Sequence, residues 1–102
     1  MNPKTQRLVR LRPTRLREAD EALAAAEEHR GHARHFQAAK QYHNAAELYC
    51  LCGLGLLARR AYAAAAAAYE HVEEAKSSER CALHVKALPI YWDETHHDAK
   101  WG

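Results

Sequence analysis

The chain reads as an all-α protein of antiparallel helical hairpins, three to four helices flanked by extended N- and C-terminal tails. Three observations predict this. Ala dominates the composition, while Val9, Val72 and Val85 are the only valines and Ile90 the only isoleucine. Ala loses no rotamer entropy in a helix, whereas β-branched side chains favour strands. Apolar residues recur at steps of three, four and seven, the period of a helix face. Finally, a Tyr/Ala unit appears twice, twenty residues apart.

The 102 residues suffice for one domain, and a domain of that size has a thin core. Residues 1–13 are predicted to be a basic extended arm, because Pro3 and Pro13 disfavour helix in the residues before them. Thr14 then caps a first helix over residues 14–38, whose opening acids Glu18, Asp20 and Glu21 suit the helix dipole. Its apolar face is Leu16, Ala19, Leu23, Ala26, Ala33 and Phe36.

The repeat lies in residues 38–49, AAKQYHNAAELY, and 58–69, ARRAYAAAAAAY. Both carry a basic residue, Tyr, an Ala pair and a second Tyr at the same spacing. Tyr42, Ala45 and Tyr49, like Tyr62, Ala65 and Tyr69, fall at i, i+3 and i+7 and so share a face. Such units suit helix starts, which predicts turns near 39–41 and 59–61 and helices over 41–58 and 61–76. Gly53 and Gly55 then sit inside the second helix, where each costs about 1 kcal/mol against Ala. Ser77 or Ser78 caps a short fourth helix that ends before Pro89, giving a helical domain over 14–88 and an extended aromatic tail over 89–102.

On these residues the chain resembles two helical-hairpin families. Residues 46–69 resemble a tetratricopeptide repeat, its motif positions falling on Tyr49, Gly53, Leu56, Tyr62, Ala65 and Tyr69. Arg60, Val72 and the lack of a closing proline near Ser77 depart from that pattern. Three successive antiparallel helices are also similar to the MIT (microtubule-interacting and transport) domain, with residues 26–49 as its first hairpin. Either resemblance covers about half of the chain. Both imply a binding scaffold that holds a peptide or a helix in an inter-helix groove, without catalysis.

Charge is unevenly placed. The net +2 combines +6 over residues 1–17, from Lys4, Arg7, Arg10, Arg12, Arg15 and Arg17, with −4 over the remainder. Those six residues admit three readings. Spaced Arg could track an RNA backbone, or an acidic partner, without reading sequence. The stretch also resembles a mitochondrial targeting segment, and it could be a solvated tail.

The eight histidines invite a metal reading, but His29, His32 and His35 at steps of three spread around a helix and cannot meet one ion. No metal or other cofactor is predicted. Cys50, Cys52 and Cys81 are too few for a four-thiolate zinc site and lack a disulfide framework's spacing. They read as reduced, small apolar side chains, which fits a reducing compartment such as cytoplasm, nucleus or mitochondrial matrix. No Gly-rich phosphate loop or nucleophile elbow occurs, and the paired acids Glu27-Glu28 and Glu73-Glu74 read as solvated charge. No enzyme is predicted. No apolar run approaches the roughly 20 residues needed to span a bilayer. Tyr91, Trp92 and Trp101 in the tail are either anchors for a protein partner or a lid on the thin core.

The function predicted is therefore a protein–protein interaction module or a small accessory subunit of a larger assembly. An RNA-associated protein using residues 4–17 is the alternative, and a His-based metal binder a third.

Overall fold

A computed structural model describes residues 3–88, with side chains from Thr14 onward. The described residues form four helices: α1 (Pro3–Gly31), α2 (His35–Leu51), α3 (Gly55–His71) and α4 (Ala75–Ala87). Each helix packs against the next in sequence, and the chain reverses direction between them. The all-α hairpin architecture read from composition and period is the one observed.

The reversals come earlier than the sequence suggested. They fall at residues 32–34, 52–54 and 72–74, about seven residues ahead of the turns placed before the Tyr units. All three have one construction. The third-last helical carbonyl of α2, Tyr49 O, accepts from Leu54 N at 3.0 Å, and Cys50 O accepts from Gly53 N at 3.0 Å. The same two bonds recur as Arg34 N to His29 O with Ala33 N to Arg30 O, and as Glu74 N to Tyr69 O with Glu73 N to Glu70 O. This is the Schellman ending, which needs a left-handed residue just past the helix. Ala33, Gly53 and Glu73 supply it, with φ of 59°, 75° and 59°. Only one of the three is glycine, so two turns lack glycine at the left-handed position itself. Gly53 belongs to the turn and not to a helix interior, and Gly55 is the first residue of α3.

Two further expectations are corrected. The backbone of residues 3–13 is helical, continuous with α1, where the prolines predicted an extended arm. Pro3 stands at the first helical position, where its missing N–H has no partner to lose. At Pro13 the helix continues without the bond that its N–H would have made. The fourth helix starts at Ala75 and not at a serine cap; Ser78 lies one turn inside it and donates from Oγ to Ala66 O at 3.0 Å. Residues 89–102 lie outside the described part.

The core is unusual in what fills it. Most buried positions are Ala, with Tyr42, Tyr49, Tyr62 and Tyr69 between them and Cys52, Cys81 and Ser78 beside. Leu16, Leu23, Leu48, Leu54 and Leu57 are only half-buried around this centre. Each Tyr pair shares one buried face of its helix, with Ala45 or Ala65 fully covered between the rings. Small Ala brings neighbouring backbones close, and rings above and below it occupy the remaining space. Of the face expected on the first helix, Leu16, Ala19, Leu23 and Ala26 pack inward, whereas Ala33 is in a turn and Phe36 is an exposed residue of α2. Tyr49 lies on α2 and Leu56 on α3, with Gly53 in the turn between them.

Candidate functional site: a tyrosine-floored cleft between α1 and α3

Because α1 and α3 both border α2, a cleft of about 300 Å³ opens between them with α2 as its floor. Tyr42 and Tyr49 form that floor. Leu23 of α1 and Leu57, Ala61 and Ala64 of α3 form the walls, and Glu27, Arg30 and Arg60 stand at the rim. A smaller hollow of about 260 Å³ continues along it past His35 and His71, again bordered by Arg30, Tyr42 and Ala64.

The floor is held from α1. Tyr49 donates its hydroxyl proton to Asp20 Oδ1 at 2.6 Å, and Tyr42 donates to Glu27 Oε2 at 3.1 Å. Arg30 Nη2 also donates to that oxygen at 2.8 Å, so Glu27 is neutralised within its own helix. Burial, followed by the adjacent carboxylate, raises the pKa of both phenols above the ordinary tyrosine value. Both therefore remain neutral donors at physiological pH, fixed by bonds that cross between helices. Arg60 is exposed, and no acid of the described residues lies within ion-pair reach of it.

Twenty residues further on, the same arrangement is occupied. Tyr62 of α3 takes the place of Tyr42, and His84 of α4 stacks on its ring, centroids 4.4 Å apart and planes within 10°. His43 tilts against Tyr62 at 5.7 Å and meets Tyr69 edge-on at 6.5 Å. His43 Nε2 sits 3.0 Å from Glu47 Oε1. Tyr62 is pushed up to about 12, by burial first and then by the neighbouring Cys50 and Glu47. Burial likewise raises the thiols of Cys50 and Cys81, which keeps them protonated and poor nucleophiles.

The residues singled out from the sequence fall elsewhere. Lys4, Arg7, Arg10 and Arg12 belong to the N-terminal part of α1, where only the backbone is described; Arg15 is half-buried and Arg17 exposed further along that helix. Tyr91, Trp92 and Trp101 lie outside the described residues. The three histidines at steps of three do not converge: His29 Nδ1 accepts from Arg34 Nε at 2.9 Å, and His35 stacks on His71 at 4.1 Å. Among the described residues no group of three His, Cys, Asp or Glu is placed to hold a metal ion, and no helix is long and apolar enough to cross a membrane. Of the cleft's residues, sequence reasoning reached the two tyrosines as a packing pair, Leu23 as part of an apolar face and Arg60 as the basic residue of the second Tyr unit; it missed Leu57 and Ala64 and did not bring the four together. The signal was the twenty-residue offset itself, which had to be carried past residue 69 to pair Ala64 with His84.

Comparison with known protein families, curated proteins and solved structures finds no match.

Proposed function

We propose that this chain is a non-catalytic interaction module, or a small accessory subunit, that receives a peptide or helix of another protein between α1 and α3. The observation that carries the reading is the cleft over Tyr42 and Tyr49. It is concave and largely apolar, with few polar groups at its rim, and it is built on helices and not on loops. Its polar groups support binding better than chemistry. Both phenols are engaged as donors, Glu27 is paired, and no Ser, Thr, Cys, Lys or His lines the space.

A photo-crosslinking residue at position 57, in full-length protein expressed in its native source, tests this. The same residue at the exposed Gln37, away from the cleft, serves as control. A discrete protein adduct is expected from position 57 and not from position 37. Equal adducts from both, or none from position 57, would contradict the reading.

A further inference from the structure

The internal repeat supplies its own comparison, because among the described residues one copy of the groove is filled by side chains of the chain and the other is open. Adding twenty to the cleft residues Leu23, Tyr42 and Ala64 gives His43, Tyr62 and His84. In the second groove the two imidazoles lie against the Tyr62 ring, one stacked and one tilted. In the first groove the stacking position is the methyl group of Ala64, so the space that His84 would fill is the open cleft above Tyr42.

Resting on the groove-binding reading above, we infer that the cleft receives one aromatic side chain of a partner protein segment, seated over Tyr42 as His84 sits over Tyr62, with a carboxylate beside it facing Arg60. The shape argument comes from the filled copy: a flat ring fits between a Tyr floor and helical walls at this spacing. Offset stacking on an immobilised phenol adds attraction beyond the buried area. The charge argument comes from the rim. Glu27 is already satisfied by Tyr42 and Arg30, whereas Arg60 faces no acid of the described residues. A guanidinium at the mouth of an apolar cleft favours an acidic neighbour to the ring and disfavours a basic one.

The test uses the full chain, uniformly labelled with nitrogen-15, and three probes: acetyl-Glu-Trp-Glu-amide, acetyl-Glu-Leu-Glu-amide and acetyl-Lys-Trp-Lys-amide. The Glu-Trp-Glu peptide is expected to shift the amide signals of residues 57–64 with an affinity of order millimolar, and the other two to bind at least about tenfold more weakly. Ala64→His is expected to close the cleft with its own ring, as in the second groove, and to abolish those shifts while the rest of the spectrum is retained. Equal binding of the leucine probe, or unchanged binding to Ala64→His, overturns the inference. If Ala64→His fails to fold, the three-probe comparison on the unaltered chain still decides. Residues 91–94, Tyr-Trp-Asp-Glu, have the composition of such a segment. Binding of the probe to Trp92→Ala but not to the unaltered chain would overturn a foreign partner in favour of the chain's own tail. A specific crosslink at position 57 without aromatic selectivity would leave the groove reading standing and remove only this one.

Discussion

Ala33, Gly53 and Glu73 occupy the same left-handed position in three successive turns, and two of them carry a Cβ there. A left-handed conformation costs an L-residue about 1–2 kcal/mol relative to glycine. Ala33→Gly and Glu73→Gly are each expected to raise stability by about 1 kcal/mol, read as a higher urea midpoint at unchanged slope. Gly53→Ala is expected to lower it by a similar amount, purely through conformation, since an added Cβ meets nothing within 4 Å. The tyrosine hydroxyls act at this scale too. Tyr49→Phe removes the bond to Asp20 while leaving that exposed carboxylate hydrated, so a loss of about 1 kcal/mol is expected. Burial raises all four core phenols above the ordinary tyrosine value of about 10, so the unfolded chain ionises first. Their contribution is intact below pH 10 and is lost as pH rises through the folded values. Stability should fall above about pH 10, by up to about 1.4 kcal/mol per pH unit for each phenol that ionises only on unfolding. Parallel tyrosinate absorbance and helix ellipticity would follow this; ionisation that precedes loss of helix by a full pH unit would contradict it.

At the scale of the element, helix identity was legible and helix boundaries were not. The face shared by Tyr42, Ala45 and Tyr49 depends only on the 3.6-residue period, and all three are buried together as that period requires. The turns depend on single residues whose chemistry does not announce them. Ala33 is the best helix former, yet it closes α1; Glu73 is read as surface charge, yet it closes α3. The residues around them propagate a helix well, so local propensity runs straight through and tertiary packing places the break. Gly53 was the legible signal at the left-handed position itself. Shifted by twenty in either direction it marks Ala33 and Glu73, which would have moved every turn to its observed place. The cleft was legible in part for the same reason: the floor residues repeat, while its emptiness shows only when Ala64 is set against His84. Close helix approach at Ala65 gives a further expectation at this scale. Ala65 is fully buried between Tyr62 and Tyr69, so Ala65→Leu should force α3 from its neighbours and cost about 1–3 kcal/mol, measured by thermal melting.

Over the described residues the twenty-residue step produces a graded series of hollows, the first between α1 and α2 and the next two floored by one helix and walled by its two neighbours. The hollow over α1, about 380 Å³, is floored by Ala22 with Glu18, Glu21, Gln41 and Asn44 around it, a polar lining that suits water. The next is floored by Tyr42 and is apolar and open. The third is floored by Tyr62 and filled by His43 and His84. Among the described residues one repeating backbone thus presents three different surfaces, and the middle one combines open space with an aromatic floor. The whole account rests on Tyr42 facing α1 and α3 at once, and through-space proton contacts from its ring in solution measure this most directly. Cross-peaks to the methyl groups of both Leu23 and Ala64 are the result the account requires. A ring that meets one of those helices alone, or neither, would mean that the cleft does not exist as described.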